Sequence, residues 1–166
     1  NTSSIIGAIV DSNVASGTET NIDGLVVDGV SVNKAGTTNC ALVNLACSGS
    51  IASRGIVLRN IRPAFPAEIN GGSAITLLTG TYEDITVEDC SNLQPNWQGN
   101  FVSTNQATGT IERLTIQNVS LTIDNALKNT GWRSSVYLAT GSGIVVREVN
   151  VINCSVRDNS AAGSKS

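Results

Sequence analysis

One apolar pattern recurs five times along the chain, and this repeat restricts the possible folds more than any other feature. The pattern is apolar, any, apolar, any, any, apolar, and its first members are separated by 31, 29, 29 and 35 residues. Alternation with a period of two indicates strands, because successive side chains of a strand point to opposite faces. The five copies are Leu25-Val27-Val30, Ile56-Leu58-Ile61, Ile85-Val87-Cys90, Leu114-Ile116-Val119 and Val149-Val151-Cys154.

A second element, a turn of small residues, follows each of the first four copies. Its glycines are separated by 31, 29 and 32 residues, so this element keeps pace with the strand pattern. Leucine-rich repeats are shorter, and propeller blades of about 40 residues need four strands. We therefore predict an all-β parallel β-helix, a solenoid of about five coils with roughly 30 residues per coil. The glycines are Gly49, Gly80, Gly109 and Gly141.

A turn is also expected directly after the second polar position of each strand pattern. All five residues there are of types that tolerate a left-handed backbone, and most of them are Asn. Stacked Asn amides can form a hydrogen-bonded ladder along such a solenoid. The five residues are Gly29, Asn60, Asp89, Asn118 and Asn153.

Composition excludes several classes of function. The 166 residues suit one domain, and no apolar run approaches the length of a membrane span. The net charge is -3 and the ten Lys and Arg are scattered, which argues against a nucleic-acid partner. The chain has no His, so imidazole-based catalysis and His-ligated metal sites are excluded, and we expect no metal and no cofactor.

The coil pattern and the turn residues resemble the right-handed parallel β-helix of the pectin-lyase-like superfamily, and within it bacteriophage tailspikes. The resemblance covers about residues 22–158 and includes no catalytic signature. It implies an incomplete first coil over 1–21, a β-helix over 22–158 and a flexible polar tail over 159–166. Complete members generally have more coils, so we expect a part of a larger spike, or ends covered by partner chains. Tailspikes of this type are homotrimers.

Alignment of the coils places charged residues in columns. One column reads Asp28, Arg59, Glu88, and another contains Asp84. The first interpretation is that opposite charges on stacked coils hold the register. The second is that Asp28, Asp84 and Glu88 are the catalytic carboxylates of a polysaccharide hydrolase or lyase. Asp28 and Glu88 would lie two coils apart, about 9.6 Å, near the upper limit for an inverting glycosidase.

The segments between the strands hold the candidate ligand-binding residues. Trp97 and Trp132 fall on adjacent coils and can stack on sugar rings, and Arg59 and Arg133 can bind polar sugar groups. The alternative is that both Trp side chains are buried against the coil or against a partner subunit.

Four Cys without a CxxC pair favour reduced, mostly buried thiols and assembly in a reducing cytoplasm. The resemblance to tailspikes, with which reduced thiols agree, implies a phage virion protein that recognises bacterial surface polysaccharide and, in the whole protein, degrades it. Two alternatives stay open. One is a non-enzymatic trimerisation, spike or adhesin domain, and the other is a secreted pectinase-like lyase or hydrolase.

Overall fold

The structure is a computed structural model that describes residues 10–11, 21–33, 42–47, 51–64, 72–77, 79–92, 99–104, 108–123, 134–138 and 143–158. Within these ranges the chain forms fourteen strands, numbered β1 to β14 in chain order, and no helix. No helix in the described ranges is therefore long and apolar enough to cross a bilayer. The expectation of an all-β chain is confirmed for this part of the molecule.

Sheet A is a five-stranded parallel sheet. Val27 pairs with Leu58 and Ile56 with Ile85, and Leu114 lies between Ile85 and Val149. The register expected from the repeated apolar pattern is therefore confirmed. In spatial order the strands are β2 (Val26–Asp28), β5 (Ile56–Arg59), β8 (Gly80–Glu88), β10 (Gly109–Gln117) and β13 (Ile144–Ile152).

Sheet B is the second five-stranded sheet, and its strands are also parallel. In spatial order they are β1 (Val10–Asp11), β4 (Val43–Leu45), β7 (Gly72–Leu77), β9 (Gly99–Ser103) and β12 (Ser134–Tyr137). Two short parallel sheets complete the structure, one of β3 (Ser31–Asn33) with β6 (Arg62–Ala64), the other of β11 (Ser120–Ile123) with β14 (Ser155–Asp158).

A single side chain continues the edge of the second short sheet. Ser91 forms a parallel bridge to Ser120, and the next residue, Asn92, pairs through its amide with the backbone of Thr122. The amide donates to the Thr122 carbonyl at 2.6 Å and accepts from the Thr122 N–H at 2.8 Å. The Asn92 amide thus makes the two hydrogen bonds that a peptide group of a neighbouring strand would make.

Along the chain, a strand of sheet A is followed by a strand or bridge of the short sheets, then by a strand of sheet B. This order is compatible with a parallel β-solenoid. The core lies between the sheets, because a strand directs alternate side chains to opposite faces, as the burial of β4 and β5 shows. From sheet A it includes Leu58, Val87 and Ile116, and from sheet B Leu45 and Leu77, each no more than 2% exposed.

Buried polar side chains in the core have hydrogen-bond partners. The hydroxyl of Tyr82, a fully buried residue, donates to the Leu45 carbonyl at 3.0 Å. The Ser53 hydroxyl accepts from the Ile22 N–H at 2.8 Å and lies 3.2 Å from the Cys47 sulfur. Because an unsatisfied buried polar group costs about 1–3 kcal/mol, these bonds allow polar groups inside an otherwise apolar core.

The five turn residues after the sheet A strands all have positive φ, as expected. Gly29 has a φ of 80°, and the four non-glycine residues have φ between 50° and 53°. Asn and Asp tolerate this left-handed conformation better than other side chains do. The left-handed conformation of the turn therefore explains the residue types found there, which are Asn60, Asp89, Asn118 and Asn153.

Among the described residues, the predicted glycine turns can be compared with the structure at Gly80 and Gly109. Gly80 pairs with Gly109, as expected from their spacing. The residue paired with Gly109 on the next strand is Ile144, and Gly143 before it has a φ of +93°. Gly141 and Gly49 lie outside the described residues. The longer step of 35 residues between β10 and β13 therefore alters the position of the turn relative to the strand.

The last strands differ from the expected core pattern. Val149 and Val151 belong to the repeated apolar pattern, yet they are 41% and 59% exposed. The cause is their position in the stack, because β13 is an edge strand of sheet A and no strand among the described residues covers it. Cys154 is exposed for the same reason, whereas Cys47 and Cys90 are buried.

Gly109→Ala should strongly destabilise the chain. A Cβ at this position would overlap the carbonyl oxygen of Gly80, and the φ of +121° is unfavourable for any residue with a side chain. We expect a loss of about 3 kcal/mol or more in the free energy of unfolding, measured by urea denaturation. Gly24→Ala is the matched control, because its φ is +70° but no atom lies within 4 Å of the added Cβ. An equal loss in both variants would show that steric overlap contributes nothing.

The thiols should differ in their reaction with a maleimide. Cys90 is buried, and burial raises the pKa of its thiol to about 11, so little thiolate forms at pH 8. Cys154 is exposed and should be labelled first in dilute native protein, as followed by peptide mass spectrometry. Labelling of Cys90 should require denaturant. Equal rates at the two residues in native protein would contradict this arrangement.

Candidate functional site

Four polar side chains lie in register across neighbouring strands of sheet A. Asp28 pairs with Arg59, Arg59 with Glu88, and Glu88 with Gln117. We call these four residues the polar row. The Arg59 guanidinium donates to Asp28 at 2.9 Å, and the Gln117 amide donates to Glu88 at 2.7 Å. The register therefore brings together two of the three predicted catalytic carboxylates, together with the predicted ligand-binding Arg59.

The turn residues form a second line of hydrogen bonds beside the polar row. The Asn118 amide donates to Asp89 at 3.0 Å, and the Asn153 amide lies 3.5 Å from the Asn118 oxygen. The Asn60 amide instead donates to Asp28 of the polar row at 2.6 Å. Of the expected ladder, one amide-to-amide contact is present among these bonds, between Asn153 and Asn118, and the amides of Asn60 and Asn118 donate to Asp carboxylates.

Asp28 is held in its ionised form by its neighbours. The hydrogen bond from Asn60, followed by that from Arg59, lowers the pKa of the Asp28 carboxyl below its usual value. Both bonds favour the charged form, since a carboxylate accepts hydrogen bonds more strongly than a carboxylic acid does. A general acid needs the opposite shift, and a lowered pKa also makes a carboxylate a weaker base, so the surroundings of Asp28 suit binding.

The third predicted carboxylate lies elsewhere on sheet A. Asp84 and Glu88 are on the same strand, but four residues separate them, which corresponds to about 13 Å along an extended chain. Asp84 instead accepts a hydrogen bond from Arg113 at 2.7 Å. This contact raises the pKa of the Arg113 guanidinium, and the charges of Glu148 and Glu83 act in the same direction. The structure therefore does not bring Asp84 together with Glu88.

Asp84 belongs to a charged corner, where two successive residues of each long sheet A strand point outward. In β8, buried and more exposed residues alternate up to Tyr82. Glu83 and Asp84 are then both more exposed, and the alternation resumes with Ile85 buried. Arg54 lies 3.9 Å from Asp23 and 3.8 Å from Glu83. We define the charged corner as Asp23, Arg54, Glu83, Asp84, Glu112, Arg113, Arg147 and Glu148.

The corner pairs hold opposite charges on neighbouring strands. Arg147 on β13 contacts Glu112 on β10 at 3.0 Å. In the adjacent column, Arg113 on β10 contacts Asp84 on β8 in the same way. All of these side chains are 38% exposed or more, so solvent screens each pair and its contribution to stability is small. The described residues contain no group of three His, Cys, Asp or Glu side chains that could hold a metal ion.

Three predicted ligand-binding residues cannot be placed, because Trp97, Trp132 and Arg133 lie outside the described residues. Two residues of the site were not singled out from the sequence as binding partners. The amides of Asn60 and Gln117 hydrogen-bond the two carboxylates of the polar row. Their position in the repeat is the signal that could have identified them, since each lies one coil after its carboxylate.

Comparison of the chain with protein-family models, with curated proteins and with solved structures gives no match.

Asn60→Gly should raise the pKa of Asp28 towards its usual value. Glycine keeps the positive φ of the turn and removes the amide that donates to Asp28. Because the folded-state pKa of Asp28 is lowered, its contribution to stability is present above about pH 4 and is lost as the pH falls through the folded-state pKa. In the variant this contribution should be smaller, and its loss should be complete at a higher pH. Titration of the Asp28 carboxyl carbon by NMR measures the shift.

Asn118→Gly is the control for this titration, because its amide donates to Asp89 and not to Asp28. The pKa of Asp28 should stay unchanged in Asn118→Gly. An Asp28 pKa that is the same in Asn60→Gly and in the unmodified chain would refute the assignment of Asn60 as its hydrogen-bond donor.

Proposed function

We propose that the chain is a right-handed parallel β-helix of about five coils. The fixed order of the sheets along the chain supports this, as do partner offsets close to 30 residues, such as Asp28 with Arg59 and Arg59 with Glu88. Right-handed connection is the general rule between parallel strands of one sheet. The handedness is also that of the pectin-lyase-like superfamily, which the coil pattern resembles.

The proposed function is recognition of a bacterial surface polysaccharide, as part of a tailspike-like spike. One observation carries this proposal: the polar row lies on a continuous sheet, with the Arg59 and Asp28 side chains 44% and 42% exposed and Glu88 and Gln117 half-buried. The row offers a guanidinium, carboxylates and an amide at intervals of about 4.8 Å. Such groups bind sugar hydroxyls and acidic sugar substituents, and Arg59 retains donors beyond the Nε that contacts Asp28.

The charge state of the polar row favours binding over hydrolysis by this chain. An inverting glycosidase needs one protonated carboxyl group and one ionised carboxylate. The lowered pKa of Asp28 removes it as the acid, and the separation of about 9.6 Å expected for Asp28 and Glu88 lies at the upper limit for this mechanism. In the proposal, degradation of the polysaccharide belongs to the whole spike, with Glu88 as the carboxylate of this chain best placed to take part.

Virion assembly in the host cytoplasm is part of the same proposal. Cys47, Cys90 and Cys154 are free thiols, which suits a reducing compartment. The alternative to a virion location is secretion, as a pectinase-like enzyme. A homotrimer is expected from the tailspike resemblance.

A structural spike domain is the second candidate function, and one observation favours it. Val26 is 52% exposed on the outer face of sheet A, and Val57 lies beside it on the next strand. Thr86, Thr115 and Asn150 continue this column on the following strands. A column that is apolar on its first two strands and polar on the next three suits a hydrated contact between subunits.

Arg59→Ala should weaken polysaccharide binding about tenfold, because a hydrogen bond to a charged group contributes about 1.5–3 kcal/mol. Isothermal titration calorimetry of the full chain with purified capsular and O-antigen polysaccharides, acidic and neutral, measures the affinity. Arg147→Ala is the matched control, since it also removes one exposed Arg–carboxylate pair and lies outside the polar row. Equal affinities for the two variants would contradict a binding role of the polar row.

A further inference from the structure

Among the described residues, sheet A, sheet B and the short sheets each end in an edge strand at both ends of the stack. At one end the edge strands are β12, β13 and β14, and at the other end they are β1, β2 and β3. Among the described residues, no strand pairs with the outer side of these six strands. The backbone N–H and C=O groups on the outer side of an edge strand form a template for another strand.

The end formed by β12, β13 and β14 is also apolar. Val151 and Val156 are 59% and 50% exposed there, although their positions in the repeat belong to the core. A groove of about 70 Å³ opens beside them, lined by inward side chains that include Ile116, Leu121 and Val136. Exposed apolar surface next to an unpaired strand edge is typical of an interaction surface.

We propose that this end binds the opposite end of a second copy of the chain, so that molecules associate head to tail. Continuation of the sheet A register places Leu25 of the second copy on Val149 and Val27 of the second copy on Val151. In sheet B the same continuation places Val10 of the second copy on Val136. The three edge strands of one end thus meet three edge strands of the other end in the same order.

Charge complementarity supports a second copy as the occupant. One column of the charged corner begins with Asp23 and ends with Arg147, so its two ends carry opposite charges. In the head-to-tail arrangement Arg147 meets Asp23 of the second copy, in the way that Arg54 meets Asp23 within one chain. Glu148 meets Gly24, and Ile152 meets Asp28, so no like charges face each other at these positions.

Parallel pairing favours the head-to-tail arrangement over contact between two identical ends. Contact of β13 with β13 of a second copy would have to be antiparallel around a two-fold axis. The head-to-tail contact instead repeats the parallel pairing that sheet A already uses between each pair of its strands. It also leaves a free end on each new molecule, so the association is open and grows with concentration.

Sedimentation velocity of the full chain over a range of concentrations tests the proposal. We expect the mass of the sedimenting species to rise with protein concentration. The masses should differ by whole copies of the associating unit, which is built from chains of 17.1 kDa. Val151→Lys should lower the association constant at least tenfold, because it places a charge in the buried apolar contact. Thr86→Lys is the control, since Thr86 lies between the inward residues Ile85 and Val87 on β8, the central strand of sheet A, away from the end strands. A mass that is independent of concentration, or equal losses in the two variants, would overturn the proposal.

A charge exchange separates the head-to-tail contact from other kinds of self-association. Arg147→Glu alone and Asp23→Arg alone should each associate more weakly, because every junction then joins like charges. An equimolar mixture should regain association, since the introduced glutamate of one variant meets the introduced arginine of the other and the reverse junction keeps the original pair. The labelling rate of Cys154 should fall in the mixture as its end becomes covered. Circular dichroism checks that both variants fold, and a mixture that associates no better than either variant would overturn the proposal.

Discussion

Parallel backbone pairing at a nearly constant offset is the constraint on which the rest of the structure depends. The left-handed turn after each sheet A strand maintains it, because the N–H of the turn residue donates to the next strand. Asn60 donates in this way to the Glu88 carbonyl at 3.3 Å, and Asn118 to the Ile152 carbonyl at 2.9 Å. A shift of one residue would turn every inward side chain outward. The turn residue and the apolar alternation therefore specify the same register.

The same register decides the chemistry of the surface. Because identical positions of successive strands lie about 4.8 Å apart, a column of the repeat becomes a row of neighbouring side chains. Inside the molecule the rows are apolar, as at Leu58 and Val87. Outside they bring acids next to Arg or amide groups, as at Asp28 and Arg59. The exposed pairs contribute little to stability, so they can exchange partners for a ligand at small cost.

A repeating stack of parallel strands can be extended in the same register at either end, and this property affects both of its end strands. The strand β13 keeps the apolar pattern of the strands before it, although no described strand lies on its outer side. Val149 and Val151 are exposed as a result, while their counterparts Leu114 and Ile116 are buried. Repeat proteins require a cap or a partner at such positions. The proposed polysaccharide recognition uses the side of the stack and the proposed association uses its ends, and the two surfaces meet at Asp28, which lies on the end strand β2.

The sequence by itself determined the strand register, the left-handed turns and the inward residues, because each is a local preference repeated at a constant spacing. It also placed Asp28, Arg59 and Glu88 in one row, since a row follows from the register alone. Only the tertiary structure decided which group each carboxylate contacts. Asp84 shares a strand with Glu88, but four residues along the strand separate them, and Asp84 accepts a hydrogen bond from Arg113. The structure likewise decided the exposure of Val151, because burial depends on what covers a strand and not on its own sequence.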